Sequence, residues 1–158
     1  MERISEARSK KAKFTRMVIE MPILNRDEDI RKALKECKNI AVIGASLEAY
    51  KPSYFVADVL QGFSFRILPV NPNYAGQEIL GEKVYSTIKD IPVEIDIVDV
   101  FRRPSAMPEV AKEAKEKGFK TFWMQPGTQN ETVAKELNQE GYNVVAGRCA
   151  KIESMRLL

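Results

Sequence analysis

The sequence predicts an α/β protein with a three-layer, Rossmann-like, doubly wound sheet of about five parallel strands. Short apolar runs alternate with segments of helical periodicity, and glycines or prolines separate them. The chain has 158 residues, whereas a closed eight-stranded barrel needs about 250. Because crossovers between parallel strands are right-handed, an open sheet covered on both faces is the simplest arrangement.

The predicted elements follow from hydrophobic spacing and from the residues that end each run. After Asp27, which can cap a helix, the apolar positions Ile30, Ala33, Leu34 and Cys37 recur at helical spacing. Strands are predicted over residues 39–43, 65–70, 95–100, 120–124 and 143–146, and further helices over 52–60, 86–90, 104–118 and 131–141. The helix over 52–60 is expected to carry Phe55, Val56, Val59 and Leu60 on one face.

The first 26 residues differ in composition from the rest of the chain. Residues 1–26 are predicted to be a basic N-terminal extension, and residues 27–158 to be the domain. A solvated arm is the simpler interpretation of the extension. A contact with an acidic partner or a nucleic acid is the alternative, although Phe14 alone supports it among aromatic residues.

Composition excludes several classes of function. The chain has no histidine, so it has no Ser-His-Asp triad, no Cys-His pair and no histidine metal site. A net charge of +3 does not call for a nucleic acid or a membrane as partner. Two distant cysteines, Cys37 and Cys149, make neither a disulfide framework nor a zinc knuckle. From the missing histidines and the few cysteines we expect no metal site. No apolar run approaches the roughly 18 residues that cross a bilayer, and the N-terminus lacks the apolar region of a signal peptide, so we expect a cytoplasmic protein.

The candidate site lies where the strands end, because open parallel sheets bind ligands beyond the carboxyl ends of their strands. The turn Gly44-Ala45-Ser46 follows the first strand. A glycine there lets the backbone approach a phosphate, and the next helix offers free N–H groups. Ser46 adds a hydroxyl and Lys51 a positive charge. A tight turn that binds nothing is the alternative for these residues.

The second strand ends without an acidic residue. A dinucleotide-binding unit has an Asp or Glu about 20 residues beyond its glycines, where it holds a ribose diol. This chain has Val70 and Asn71 there, and it lacks the full GxGxxG pattern. Both observations argue against NAD.

Polar and cationic residues follow the third and fourth strands. Arg102 and Arg103 precede a predicted helix, and guanidinium groups suit phosphate geometry. Simple solvation of one or both arginines is the alternative. Gln125 begins a polar turn at the same edge, whereas Phe122 and Trp123 are expected in the core rather than against a ligand.

Six ordered motifs resemble the CoA-binding domain family, the small stand-alone relatives of the nucleotide-binding domain in the succinyl-CoA synthetase alpha subunit. The motifs lie at residues 42–46, 51–53, 69–72, 79–85, 96–102 and 148–149, and the likeness covers about residues 27–158. The resemblance implies a Rossmann-like fold that binds coenzyme A. It implies that the Gly44 turn meets the pyrophosphate, with Lys51 and Ser53 nearby.

The same resemblance implies roles for the later motifs. Asn71 and Pro72 border the groove for coenzyme A, and Phe101 and Arg102 flank its adenosine or its phosphates. The expected ligand-binding residues are therefore Gly44, Ala45, Ser46, Lys51, Ser53, Asn71, Pro72, Phe101, Arg102 and Gln125.

The sequence offers little for catalysis. The synthetase subunit that the chain resembles needs a phosphorylated histidine, and where relatives often carry a histidine after the Arg-Cys motif this chain has Ser154. Cys149 is the one nucleophile candidate near the predicted edge. A small buried apolar role is the alternative for Cys149, and a mixed disulfide with the thiol of coenzyme A is a further hypothesis.

Two classes of function stay open. One is a non-catalytic CoA-binding module, such as a carrier or sensor. The other is an NAD(P)-binding oxidoreductase or redox sensor. The missing acid after the second strand favours the first class.

Overall fold

The structure, a computed structural model, describes residues 23–158, so most of the predicted basic extension lies outside the described residues. The helices are α1 Asp27–Lys35, α2 Pro52–Gly62, α3 Met107–Lys117, α4 Glu131–Gln139 and α5 Ala150–Leu157. The strands are β1 Asn39–Ile43, β2 Arg66–Val70, β3 Glu78–Ile79, β4 Glu82–Lys83, β5 Ile97–Val100, β6 Thr121–Met124 and β7 Asn143–Ala146. Single 3₁₀ turns cover Pro72–Tyr74, Ile88–Asp90 and Pro104–Ala106.

Five parallel strands form the main sheet in the order β2-β1-β5-β6-β7, and β3 pairs with β4 in a small antiparallel ribbon. Ile43 at the end of β1 lies beside Val70 of β2 and Val100 of β5, so the carboxyl ends share one edge. After β1 the chain first adds β2 on one side of that strand, and it later adds β5 on the other side. The predicted doubly wound parallel sheet is confirmed, and its order reverses between β1 and β5.

Helices cover both faces of the sheet. The strands are buried almost throughout because one face packs on α3 and α4 and the other on α1, α2 and α5. Phe122 and Trp123 point to opposite faces and are fully buried, which confirms both as core residues. No helix among residues 23–158 is long and apolar enough to span a membrane.

Helix α5 was not among the predicted elements. Its exposed side chains are apolar, with Ile152 51% and Met155 61% exposed, whereas Glu153 and Ser154 are buried. Part of α5 therefore exposes apolar side chains and buries polar ones, the opposite of an ordinary amphipathic helix. Ion pairs allow the buried carboxylate, because Arg156 lies 3.0 Å and Arg148 3.6 Å from Glu153.

Three local predictions are corrected. The buried face of α2 carries Ser53, Val56, Ala57 and Leu60, so it is not the predicted apolar face of Phe55, Val56, Val59 and Leu60. Phe55 is 40% exposed because it faces the cavity described below. Asp27 is the first helical residue of α1 rather than its cap, which is Arg26. The helix expected over 86–90 is reduced to one 3₁₀ turn.

Candidate functional site

The glycine turn stands at the point where the strand order reverses. Gly44 has φ +84°, a conformation that side-chain-bearing residues rarely adopt. A Cβ atom at Gly44 would lie 2.9 Å from the carbonyl oxygen of Phe101 and 3.2 Å from Cγ of Arg102. The glycine is therefore needed because the chain that leaves β5 passes directly against the turn.

The amides of this turn are partly occupied by the sheet. The N–H groups of Gly44 and Ala45 donate to the Val70 carbonyl, at 3.1 and 3.3 Å. Within residues 23–158, the N–H groups of Ser46 and Leu47 make no hydrogen bond. A ligand phosphate at this turn would therefore be bound by the later amides rather than by that of Gly44.

Asn71 fastens the turn to the end of β2. Its Nδ2 donates to the Ala45 carbonyl at 2.8 Å, and its Oδ1 accepts from the Asn73 N–H at 2.9 Å. Both ends of the amide are thus used inside the protein. Asn71 stands where a dinucleotide-binding unit has an acidic residue. Its amide holds the turn in place, and the position offers no carboxylate to a ribose diol.

A cavity of about 590 Å³ opens between this turn, the start of α2 and the loops after β5, β6 and β7. We call it the main cavity. Most expected site residues line it, namely Gly44, Ala45, Ser46, Lys51, Ser53, Asn71, Phe101 and Gln125. Its volume is within the range of about 300–1,000 Å³ that is typical of small-molecule sites.

The remaining two expected residues lie in a smaller neighbouring cavity. Pro72 and Arg102 line this side cavity of about 350 Å³, together with Thr87. Gly44 and Asn71 line both cavities, so they separate the two. The predicted site residues are therefore gathered at one edge of the sheet but divided between two adjoining spaces.

Charged side chains of both signs surround these spaces. Lys51 is exposed, and its Nζ lies 5.6 Å from the ring centre of Tyr50. The carboxylate of Glu48 lines the main cavity and accepts from the Tyr50 hydroxyl at 2.8 Å. Arg102 is exposed and makes no ion pair with any residue in the described part of the chain, so its guanidinium is available to an anion.

Phe55 and Tyr74 also line the main cavity, and neither was predicted from the sequence as a site residue. The Nζ of Lys151 lies 5.3 Å above the ring centre of Phe55, which brings another ammonium group close to the cavity. The signal for Phe55 was misleading, because its helical spacing placed it with core residues. Tyr74 reaches the cavity through the 3₁₀ turn after Asn71, which hydrophobic periodicity does not reveal.

A buried carboxylic acid lies behind Gln125, one of the residues that line the main cavity. Asp99 is fully buried in β5, and its Oδ1 accepts from Nε2 of Gln125 at 2.8 Å. Its Oδ2 has no hydrogen-bond partner within residues 23–158. Burial raises the pKa of Asp99 to about 7, although the bond from Gln125 acts in the opposite direction. The signal that could have identified it is a lone acidic residue inside an apolar strand.

Hydroxyl and thiol side chains that line the main cavity include Ser46, Ser53 and Cys149. The Ser46 hydroxyl accepts from the Glu48 N–H at 3.0 Å. Ser53 is only 5% exposed, yet its hydroxyl makes no hydrogen bond inside the described residues. Cys149 caps α5 and is partly exposed to the cavity, so it is not the fully buried apolar residue of the simpler interpretation.

Another cavity, of about 600 Å³, lies at the opposite edge of the sheet, near Leu24, Asp96 and Lys120. The carboxylate of Asp96 already accepts from two backbone N–H groups at 2.9 Å and pairs with Lys120 at 3.1 Å. These contacts satisfy its polar groups internally. Because parallel sheets bind ligands at the carboxyl edge, we assign the candidate site to the main cavity and the side cavity.

A family model described as a CoA binding domain matches residues 38–155, which include the glycine turn and every residue assigned to the site. This chain belongs to the CoA-binding domain family. The match confirms the resemblance carried by the six sequence motifs. The glycine turn, the main cavity and the side cavity of this CoA-binding domain all lie within the matched range.

Known proteins similar to this CoA-binding domain include both small and large chains. The uncharacterized protein YneT of Bacillus subtilis (strain 168) is 38% identical over 124 residues, which is 78% of this chain and 90% of that protein. The structure of cell-free ID.343 from Thermus thermophilus has a TM-score of 0.82 at 35% identity, over 85% of this chain and 100% of the other. Acetate–CoA ligase (ADP-forming) II of Archaeoglobus fulgidus is 41% identical over 85 residues, which is 52% of this chain but only 12% of the ligase.

Proposed function

We propose that this protein binds coenzyme A, free or acylated, at the carboxyl edge of its sheet and acts as a binding or sensor module rather than as an enzyme. The observation that carries the proposal is the family's glycine turn at the reversal of strand order, where it opens the main cavity. We place the protein in the cytosol, since its two cysteines are free thiols.

The chemistry of the edge favours coenzyme A over NAD. Coenzyme A carries a pyrophosphate and a 3′-phosphate, which need cations and N–H donors more than they need an acceptor for a diol. Arg102, Lys51 and the N–H groups of Ser46 and Leu47 supply such donors. The amide of Asn71 is used by the turn, so this position offers no carboxylate to a nicotinamide dinucleotide.

A binding role fits the side chains around the cavity. The chain contains no histidine, the Glu48 carboxylate is bonded to Tyr50, and Asp99 is sealed below Gln125. None of these groups is placed as a free acid or base toward the main cavity. The likeness to an acetate–CoA ligase supports a ligand of the coenzyme A class, whereas the ligase reaction belongs to a protein about eight times longer than the matched part.

Isothermal calorimetry tests ligand choice. We expect coenzyme A to bind and NAD to bind at least tenfold more weakly. The variant Lys120→Ala, at the opposite edge, serves as a control and should keep the affinity of the wild-type protein. Tighter binding of NAD than of coenzyme A would contradict the proposal.

The two neighbouring arginines provide a matched pair for the phosphate site. Arg102 lines the side cavity, whereas Arg103 is exposed outside both cavities. A charge-assisted hydrogen bond is worth about 1.5–3 kcal/mol, or about 10- to 150-fold in affinity. We expect Arg102→Ala to weaken binding of coenzyme A at least tenfold, less so at high salt, and Arg103→Ala to change it less than twofold. Equal effects of the two variants would remove Arg102 from the site.

A further inference from the structure

Cys149 differs from the other cysteine in where its thiol lies. It stands at the junction of β7 and α5, and its side chain lines the main cavity. Cys37 is 8% exposed near the opposite edge of the sheet, and its Sγ lies 3.7 Å from the Asn39 carbonyl. Burial raises the pKa of the Cys37 thiol above its ordinary value. One thiol is thus open to the cavity, and the other is sealed in the core.

The backbone around Cys149 is firmly held. The indole N–H of Trp123 donates to the Arg148 carbonyl at 2.6 Å, and the Glu153 N–H donates to the Cys149 carbonyl at 2.9 Å. The Cys149 side chain makes no capping hydrogen bond to α5. The backbone that carries the thiol is therefore held in place, and the thiol itself is not engaged by the start of α5.

A second feature of the same wall points to a ligand. Ser53 is 95% buried and lines the main cavity, yet its hydroxyl has no hydrogen-bond partner among residues 23–158. No protein group in this part of the chain engages the hydroxyl, so it is open to the cavity and available to a ligand. Gln125, also almost fully buried, uses Nε2 for Asp99 and leaves its amide oxygen free on this wall. Such groups suit a ligand arm that carries amides and hydroxyls.

We propose that Cys149 is a modification site that forms a mixed disulfide with coenzyme A. The proposal rests on the proposed function, because the nucleotide must occupy this edge for its thiol-bearing arm to reach Cys149. The donor is the symmetric disulfide of coenzyme A. The Cys149 thiolate attacks one sulfur, a bond forms between Sγ and that sulfur, and the donor S–S bond breaks.

The exchange balances without a further oxidant. One coenzyme A leaves as a thiolate and takes up the proton that Cys149 lost, so one disulfide and one thiol become another disulfide and another thiol. A second thiol reverses the step by the same route. Bound coenzyme A would thus pass between a reversible and a covalent state according to the supply of its disulfide.

The test compares two disulfides with the same thiol arm. The protein is incubated with the disulfide of coenzyme A or with pantethine, which lacks the nucleotide, and intact mass is followed over time. We expect one adduct per chain, located on Cys149 by peptide mapping, that forms at least tenfold faster with the disulfide of coenzyme A. Cys37→Ala should keep the adduct and Cys149→Ser should lose it. The peptide map of the wild-type protein decides the site even if a variant fails to fold.

Calorimetry with reduced coenzyme A, in the presence of a phosphine reductant, separates the two proposals. If coenzyme A binds reversibly but no adduct forms, the modification site is overturned and the proposed function stands. The same holds if coenzyme A binds but the adduct forms at equal rates with the two disulfides. An adduct on Cys37 also overturns the modification site. The absence of both binding and adduct overturns both proposals.

Discussion

At the residue scale, a glycine is required at position 44 for two separate reasons, which the sequence alone does not tell apart. Its positive φ shapes the turn, and its missing side chain admits the Phe101 carbonyl. From the sequence, a glycine at this position was predicted to allow close approach of the backbone to a phosphate. The structure adds a close approach between two parts of the chain itself, so a substitution here affects folding as well as binding.

Gly76 is a matched control for this double role. It has φ +85°, close to that of Gly44, but a Cβ atom there would meet nothing within 4 Å. We expect Gly76→Ala to lower the free energy of unfolding by about 1–2 kcal/mol, the cost of a left-handed residue. Gly44→Ala should cost about 1–3 kcal/mol more because of overpacking. Urea denaturation measures both, and equal losses would show that the approach of Phe101 is not tight.

Asp99 should make stability depend on pH. The folded state keeps its proton up to about pH 7, whereas the carboxyl of the unfolded chain, with an ordinary pKa of 3.8, releases it earlier. The folded state therefore binds more protons between these values, and the free energy of unfolding falls as pH rises from about 4 to about 7. At about 1.4 kcal/mol per pKa unit, the total effect is about 4 kcal/mol.

Asp99→Asn removes this titration while it keeps an oxygen for Gln125. Other carboxyl groups titrate in both proteins, so the informative quantity is the unfolding free energy of the wild type minus that of the variant. We expect this difference to decrease steadily between about pH 4 and pH 7 and then to level off. A difference that stays constant across this range would show that Asp99 is already ionised in the folded protein.

At the element scale, the strands were the most predictable part of the fold. Each central strand is buried on both faces, so it reads as a continuous apolar run, and the predicted bounds differ from the observed ones by at most two residues. Helix α5 could not be predicted in this way. Its buried positions include Glu153 and Ser154, and burial of the Glu153 carboxylate depends on ion pairs with Arg148 and Arg156 that form only in the folded chain.

The segment between β7 and α5 depends on one buried hydrogen bond. The Trp123 indole donates to the Arg148 carbonyl at 2.6 Å, beside Cys149. Trp123→Phe keeps an aromatic ring but leaves that carbonyl without its donor, which costs about 1–3 kcal/mol in addition to the lost ring volume. We expect chemical denaturation to show a loss of at least 1 kcal/mol with an unchanged denaturant slope. A loss below about 0.5 kcal/mol would mean that water replaces the indole.

At the scale of the whole molecule, topology explains why the edge of the site could be predicted and its walls could not. Parallel strands bring their carboxyl ends together, so residues that follow different strands meet whatever their distance in sequence. Whether a side chain enters the main or the side cavity depends on the path of each loop. Arg102 and Phe101 are neighbours in sequence, yet they line different cavities. The pairing of Asp99 with Gln125 likewise depends on the register between β5 and β6.

The most direct test of the central claim is an NMR titration of isotope-labelled protein with coenzyme A, followed through the backbone amides. We expect the largest shift changes at Gly44, Ser46, Phe101 and Gln125, and small changes at Lys120 on the opposite edge. NAD at the same concentration should leave these amides nearly unchanged. Shift changes concentrated around Lys120, or a stronger response to NAD than to coenzyme A, would contradict a coenzyme A site at the carboxyl edge of the sheet.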